Sequence, residues 1–218
     1  MKKGLTELVF ILDRSGSMGG LESDTIGGYN SMLRKQKNEE GDAIISTVLF
    51  DDKIETLHDR VKLDEVAEIT GEEYFVRGCT ALLDAIGVTI SHIKTIHKHI
   101  REEDRPEKTL FVITTDGMEN SSKEYSYDKV KKLVEQQKEK ANWEFLFLGA
   151  NIDAIDVAGR FGINADHAVE YKCDSMGTAL NFSVLSKAVS RVRACGAKKE
   201  ALASDWKEEI EEDFENRG

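Results

Sequence analysis

Short apolar runs alternate along the chain with longer stretches of helical periodicity. Four of the runs are nearly continuous in apolar character and a fifth is weaker. They are Leu8–Leu12, Ala43–Phe50, Leu110–Thr114, Phe145–Leu148 and, as the weaker one, Ala168–Tyr171. Runs without an alternating polar face are typical of strands that helices cover on both sides. These segments are therefore predicted to be parallel strands of one buried sheet.

A sixth apolar run, Ile54–Leu57, begins just after the short polar segment Asp51-Asp52-Lys53. A connection of this length cannot hold the crossover that a parallel strand requires. The run is therefore predicted to return antiparallel to Ala43–Phe50, as a hairpin at the edge of the sheet.

Apolar residues at helical spacing occupy the segments between the strands. The inward-facing residues predicted for five helices are Ile26, Tyr29 and Leu33; Leu82, Ile86, Ile90, Ile93 and Ile100; Val130, Leu133 and Val134; Ile155, Ala158 and Phe161; and Phe182, Leu185, Val189 and Val192. Alternation of strands and helices favours a doubly wound α/β fold. We therefore expect a mostly parallel six-stranded sheet with one antiparallel edge strand and helices on both faces.

The pattern changes near the C-terminus. Residues 1–196 are predicted to form one domain, and residues 197–218 an acidic amphipathic helical extension. In this extension Trp206, Ile210 and Phe214 follow one another at intervals of four, among many acidic residues. Such a helix either docks its apolar side chains on the domain or presents them to a partner, and docking is the favoured interpretation.

The charge balance restricts the partners. The chain of 218 residues has 30 lysines and arginines against 41 aspartates and glutamates, a net charge of −11. A field of this sign repels nucleic acid and anionic lipid, so neither is an expected partner. An anionic group on a partner would need a local positive centre, which a bound cation could supply.

Cysteine is scarce, and the three residues Cys79, Cys173 and Cys195 show no CxxC spacing. Reduced thiols in a cytoplasmic protein are the simplest interpretation. No stretch approaches the ~20 apolar residues of a membrane span. A soluble, cytoplasmic protein is therefore expected.

Candidate chemistry lies where strands end, since ligands of doubly wound sheets bind at that edge. Three polar segments lie near this edge, at Asp13–Met18, Gly78–Gly87 and Thr115–Asn120. Together they offer five side chains with oxygen donors, which are Asp13, Ser15, Ser17, Thr80 and Asp116. In the first segment Gly16 is expected to allow the bend that lets the two serines converge.

These donors suit a particular ion. Two carboxylates balance a divalent cation, and hard oxygens with room for water match the octahedral preference of Mg²⁺, with Mn²⁺ or Ca²⁺ as possible substitutes. Zinc is disfavoured because histidine and cysteine ligands do not cluster.

In order, spacing and placement, Asp13-x-Ser15-x-Ser17, Thr80 and Asp116-Gly117 resemble the metal ion-dependent adhesion site of von Willebrand factor A domains. The resemblance covers roughly residues 5 to 195 and implies a Rossmann-like von Willebrand factor A fold. It also implies that Ser15, Ser17 and Thr80 bind the ion directly or through water, while Asp13 and Asp116 support them.

The resemblance further implies that an acidic residue of a partner protein completes the coordination of the ion. The chain would then be a metal-dependent protein-binding module and not an enzyme. Members of this family inside cells often act within larger assemblies, including ring ATPase complexes, so such an assembly is a possible partner here.

Other interpretations stay open at this point. Taken alone, each of the three polar segments could form an ordinary turn, and Thr80 could be the N-cap of a helix. An Mg²⁺-dependent phosphoester hydrolase is the main enzymatic alternative, with Glu119 as the one nearby candidate base. A scaffold domain with a non-functional metal site is another.

Three histidines, His92, His97 and His99, fall near the end of the long second helix. We expect them to form a solvated basic helix end, on the opposite side of the sheet from the predicted metal edge.

Overall fold

The computed structural model of the protein describes residues 1–195, 202 and 204–217. Six strands form one sheet: β1 (Lys2–Asp13), β2 (Asp42–Phe50), β3 (Ile54–Lys62), β4 (Pro106–Thr115), β5 (Glu144–Gly149) and β6 (Ala168–Glu170). Their order is β3-β2-β1-β4-β5-β6, and β3 alone runs antiparallel to its neighbour. The predicted fold class is confirmed, including the antiparallel edge strand.

Helices cover both faces of this sheet. They are α1 (Glu22–Lys37), α2 (Leu82–His99), α3 (Tyr127–Ala141), α4 (Ala154–Arg160), α5 (Ser175–Ala194) and α6 (Glu208–Asn216), with short 3₁₀ turns between some elements. Helices α1, α5 and α6 share one apolar core with one face of the sheet, and α2, α3 and α4 share another core with the opposite face.

Strand β1 shows why the apolar runs are continuous. Its residues Leu8, Phe10 and Leu12 lie in the core beneath α1 and α5, and Val9 and Ile11 lie in the core beneath α2 and α3. Alternate side chains of a strand point to opposite faces, so a strand covered on both sides needs apolar residues at every position.

Helix α4 departs from its predicted inward face, because Ile155 is exposed. Ala154 and Ala158 are the buried residues of this short helix. The helix lies close to the end of β5, where a Cβ built on Gly149 would come within 3.0 Å of the Ala154 Cβ. The small side chains of Ala154 and Ala158 thus face the domain, and Ile155 faces outward.

The solvated helix end expected around the histidines is wrong for His97. Its Nε2 atom lies 2.6 Å from Oε2 of Glu7, a fully buried residue of β1. Arg60 of β3 also pairs with the Glu7 carboxylate. Helix α2 lies against β1 and so brings its last turn over this buried charge, whereas His92 and His99 are exposed as expected.

The C-terminal segment docks on the domain, as predicted in preference to a partner-facing helix. Trp206 and Ile210 are buried in the same core as α5, and the Trp206 indole donates to the carbonyl of Asp166 at 2.7 Å. The Lys207 ammonium donates to the carbonyls of Ala165 and Ala168, each at 3.0 Å. The proposed boundary between residues 196 and 197 lies outside the described residues.

Within the described part of the chain, no helix combines the length and the apolar character that crossing a membrane would require.

Candidate metal centre

The three polar segments meet at the point where the chain changes direction across the sheet. Strands β1 and β4 are neighbours at the centre, although they are far apart along the chain. The chain continues from β1 toward β2 and β3 on one side, and from β4 toward β5 and β6 on the other. This is the topological switch point, where doubly wound sheets open a crevice for ligands.

Four of the five predicted donors form one hydrogen-bonded chain. The Thr80 hydroxyl donates to Ser15 Oγ at 3.1 Å, and Ser15 Oγ lies 3.1 Å from Ser17 Oγ. Ser17 Oγ in turn donates to Asp116 Oδ1 at 2.6 Å. The structure therefore places side chains from all three segments in direct contact.

Asp13 is held beside this chain by its own partners. Its Oδ1 accepts the Ser15 backbone N–H at 2.7 Å, and its Oδ2 accepts the Thr115 hydroxyl at 2.6 Å. Asp13, Ser15 and Asp116 are almost fully buried. The sequence interpretation missed Thr115, whose role depends on β4 lying beside β1.

The electrostatics of the two carboxylates favour a positive partner. Burial, which outweighs hydrogen bonds from Thr115 and Ser15, raises the pKa of Asp13 to about 6. Burial also raises the pKa of Asp116 above its usual value. Neither carboxylate forms an ion pair within the described residues. Two carboxylates that are buried without an ion pair are a suitable site for a cation.

Arg14 lies within the first segment, but its side chain points away from the centre. It is fully buried, with Nε 3.1 Å from Asp51 Oδ2 and Nη2 2.7 Å from Glu55 Oε2. Its Nη1 donates to the Glu73 carbonyl at 3.1 Å. The guanidinium thus ties the first segment to the β2–β3 hairpin and is directed away from the oxygen cluster.

The two serines of the first segment converge across Gly16 as expected, with their Oγ atoms 3.1 Å apart, but no left-handed glycine is needed at that position. Gly16 starts a 3₁₀ turn, Gly16–Met18, and does not have a positive φ. Gly78 in the second segment has φ +66°, and its carbonyl accepts the Gly16 N–H at 3.2 Å. A Cβ on Gly78 would lie 2.2 Å from Asp52 Oδ1, so this position needs glycine for both space and backbone conformation.

Gly117 leaves space next to the hydroxyl groups. A Cβ built there would lie 3.3 Å from Ser17 Oγ and 3.6 Å from Thr80 Oγ1. The absence of a side chain at this position therefore keeps open the region that these two oxygens border. This open region, together with the oxygen donors, is the second feature that fits a bound cation.

Thr80 is not the N-cap of α2, contrary to one of the sequence interpretations. The cap position is Ala81, whose own side chain forms no cap hydrogen bond. The backbone N–H of Thr80 instead donates to Asn120 Oδ1 at 2.9 Å, while its hydroxyl reaches Ser15. The third segment therefore orients the second one, and the hydroxyl is directed to the oxygen cluster.

Glu119 supports the third segment. Its Oε2 accepts from the backbone N–H of Leu83 at 2.8 Å and from the Ser122 hydroxyl at 2.7 Å. Its Oε1 accepts from the backbone N–H groups of Ser121 and Ser122. Both carboxylate oxygens are engaged, so Glu119 is poorly placed to act as a base.

Three further residues touch the two aspartates. The Tyr74 hydroxyl donates to the Asp13 carbonyl at 2.5 Å, and the Asn151 amide donates to the Asp116 carbonyl at 3.2 Å. Cys173 Sγ lies 3.7 Å from Asp116 Oδ2. Asn151 and Cys173 follow β5 and β6, so their position after a strand end was a usable signal.

Among the described residues, no group of three or more histidine, cysteine, aspartate or glutamate side chains is arranged to hold a metal ion. The candidate centre has two carboxylates and depends on hydroxyl groups for the remaining donors. A donor set of this kind suits a hard cation that retains water.

Comparison with known proteins finds no matching family model and no significantly similar curated protein. Solved structures do match. They include the PilB minor pilin from Streptococcus sanguinis, with a TM-score of 0.59 and 13% identity over 85% of this chain and 61% of the pilin chain. A von Willebrand factor type A protein from Catenulispora acidiphila has a TM-score of 0.57 and 14% identity over 85% of this chain and 42% of its own.

A third neighbour is proximal thread matrix protein 1 from the mussel byssus, in a structure described as having a zinc-occupied metal ion-dependent adhesion site motif. It has a TM-score of 0.57 and 14% identity over 86% of this chain and 46% of its own. This chain therefore spans less than two thirds of each of the three neighbours. The fold of the protein is that of a von Willebrand factor A domain.

Proposed function

We propose that the protein is a metal-dependent protein-binding module. Ser15, Ser17 and Thr80 would hold a divalent ion, and Asp13 and Asp116 would orient these hydroxyls and the associated waters. The ion supplies a positive centre to which an acidic residue of a partner protein binds. The observation that carries this proposal is the meeting of oxygen donors from three separated segments beside the open space at Gly117.

The arrangement of charges supports an acidic group as the ligand. The ion would be held mainly by neutral hydroxyls, so it would remain a strong electrophile for an incoming carboxylate. Arg14 is directed toward Asp51 and Glu55, so no basic side chain of this segment competes for the site. A local positive centre of this kind can attract a carboxylate despite the net charge of −11, because salt screens the distant charges within about 8–10 Å.

Mg²⁺ is the proposed ion, with Mn²⁺ or Ca²⁺ as substitutes, because the donors are oxygens. Zn²⁺ belongs in the same test, since one structural neighbour is described with zinc at this motif.

A binding role is proposed in preference to a hydrolytic one. The candidate base Glu119 uses both of its oxygens to hold neighbouring backbone and hydroxyl groups. Two of the neighbours are named as a pilin and a thread matrix protein, which is in keeping with a binding role. A cytoplasmic location and a place in a larger assembly, such as a ring ATPase complex, remain predictions.

Metal binding is tested by thermal unfolding in EDTA and in increasing Mg²⁺. At an ion concentration of about 100 times Kd, binding should stabilise the protein by about 2.7 kcal/mol. Thr80→Ala and Asp116→Asn should abolish the rise in Tm, while Asp128→Asn, which changes an exposed carboxylate in α3, should preserve it. If no divalent ion raises the Tm of the unaltered protein, a scaffold role is favoured instead.

Partner binding is tested by affinity capture from the native cell in Mg²⁺ and in EDTA. The proposal expects proteins that are retained only in Mg²⁺ and that are lost with Thr80→Ala. Turnover of generic phosphoesters that depends on Mg²⁺ and on Thr80 would support the hydrolase and contradict the proposal.

A further inference from the structure

Exposed large apolar side chains are concentrated at one edge of the molecule. Within the described residues the set consists of Met1, Phe75, Val88, Met118, Ile155 and Met176. Met1 is the terminal residue, and Val88 lies within α2. The other four lie at the edge of the sheet that carries the candidate metal centre, and we name these four residues the apolar rim.

Two methionines of the apolar rim are close in the chain to Asp116 or to a residue that contacts it. Met118 follows it by two positions and is 67% exposed. Met176 is in the first turn of α5, three positions after Cys173, whose sulfur lies 3.7 Å from the Asp116 carboxylate. Met176 is 65% exposed. Both side chains are thus tied by short connections to residues of the centre.

The other two residues of the apolar rim are connected to the centre in the same way. Ile155 is in the first turn of α4, four positions after Asn151, whose amide donates to the Asp116 carbonyl at 3.2 Å. Phe75 follows Tyr74, whose hydroxyl donates to the Asp13 carbonyl at 2.5 Å. Its ring centroid lies 5.4 Å from the Arg14 guanidinium carbon and 5.0 Å from that of Arg77, so Phe75 borders the centre on the side of the β2–β3 hairpin.

Acidic residues are also present at this edge. Glu22 and Asp24 lie in the first turn of α1, and Asp153 and Asp156 lie at the start of α4. These nearby charges oppose the approach of a segment that carries several carboxylates. A single carboxylate surrounded by neutral residues would meet much less of this repulsion.

We infer that the apolar rim selects a partner segment in which one acidic residue is flanked by large apolar side chains and few other acids. This inference rests on the proposed function, since the ion would recognise the acidic residue. Apolar contacts around a charged contact exclude water from it and add the free energy of buried apolar area. Methionine suits such a surface, because its flexible side chain adapts to different neighbours.

The sequence preference is tested with displayed random peptides that carry one fixed aspartate. Peptides are bound to the protein in Mg²⁺ and eluted with EDTA. We expect enrichment of large apolar residues next to the aspartate and depletion of additional aspartate and glutamate. Eluted peptides whose flanking residues match those of the unselected library would overturn the inference.

The role of the apolar rim is tested with the double substitution Met118→Ser and Met176→Ser, and Val88→Ser serves as the matched control. An enriched peptide should bind the double variant about tenfold more weakly and the control with unchanged affinity. The rise in Tm with Mg²⁺ should persist in both variants, because neither substitution alters a donor oxygen. Equal peptide affinity for the double variant and the unaltered protein would refute the role of the apolar rim.

Failure of the proposed function and failure of the apolar rim give different results in these experiments. If Mg²⁺ raises the Tm but EDTA elutes no peptide, binding of acidic residues through the ion is wrong, and this inference is wrong with it. If EDTA elutes acidic peptides without apolar flanks, the proposed function stands and only the selectivity of the apolar rim is wrong.

Discussion

The substitution Thr115→Val removes one hydroxyl group from the candidate metal centre and keeps the branched shape of the side chain. Thr115 is fully buried at the end of β4, and its hydroxyl donates to Asp13 Oδ2 at 2.6 Å. After the substitution Asp13 retains the hydrogen bond from the Ser15 backbone N–H at 2.7 Å. A buried carboxylate would thus lose one of its two strong donors.

The expected loss can be stated for two conditions. In EDTA, a hydrogen bond to a charged group contributes about 1.5–3 kcal/mol. For a chain of 218 residues this corresponds to a fall in Tm of roughly 3–12 °C. In saturating Mg²⁺ the loss should be larger, because Thr115 fixes Asp13, which would orient the hydroxyl ligands and waters of the ion, and losing such outer support weakens metal affinity about 10- to 100-fold. That factor corresponds to about 1.4–2.8 kcal/mol of additional destabilisation.

The assay is urea unfolding, followed by circular dichroism, in EDTA and in excess Mg²⁺. Thr89→Val is the matched control, because Thr89 is also buried and its hydroxyl donates at 2.7 Å to the Ala85 carbonyl within α2. The control should lose a similar free energy in both conditions. An equal loss for Thr115→Val in the two conditions would refute its role in supporting a metal ion, and no loss in either would refute the importance of the hydrogen bond.

Three further predictions concern the rest of the molecule. Arg14→Met should cost about 1.5–3 kcal/mol of unfolding free energy, because the buried Arg14 loses its charged hydrogen bonds to Asp51 and Glu55 while Asp51 keeps its ion pair with Arg77, whereas Arg34→Met, at an exposed ion pair, should cost less than about 1 kcal/mol; similar losses in urea unfolding would contradict this. Ile210→Ala should cost about 2–5 kcal/mol if α6 is part of the core, and an unchanged urea midpoint would exclude that. Burial lowers the pKa of His58 below its usual value of 6.5, so stability should be lost as the pH falls below that value, and His58→Gln should lose less than the unaltered protein between about pH 7 and 5. Parallel stability profiles against pH would contradict the last prediction.

The position of the candidate centre shows how far sequence reasoning reaches. The apolar runs that end before Asp13 and Asp116 were enough to put both residues at the carboxyl ends of strands. Parallel strands end at the same edge of a sheet, so both carboxylates had to lie at one edge. Ser17 of the first segment can contact Asp116 only because β1 and β4 are neighbours in the sheet. The spacing of apolar residues does not specify the order of the strands.

The direction of individual side chains was less accessible from the sequence. Arg14 stands between two donors of the centre, yet it points to the β2–β3 hairpin, where Asp51 and Glu55 meet it. Gly78 in the second segment has a left-handed conformation and its carbonyl accepts the Gly16 N–H, a contact that the first segment by itself does not indicate. In both cases the conformation depends on residues that are distant in the chain, which local patterns do not include.

The continuous apolar runs, the helical spacing between them and the short connection after Phe50 by themselves determined the doubly wound sheet and its antiparallel edge, and helical spacing determined the amphipathic C-terminal helix. A strand buried on both faces, a strand at an edge and a helix buried on one face each require a different spacing of apolar residues, so the sequence indicates them. Tertiary structure alone decided that Thr115 holds Asp13 and that His97 reaches the buried Glu7. Such contacts depend on which strands and helices become neighbours, and the free energy that decides this belongs to the packed core as a whole.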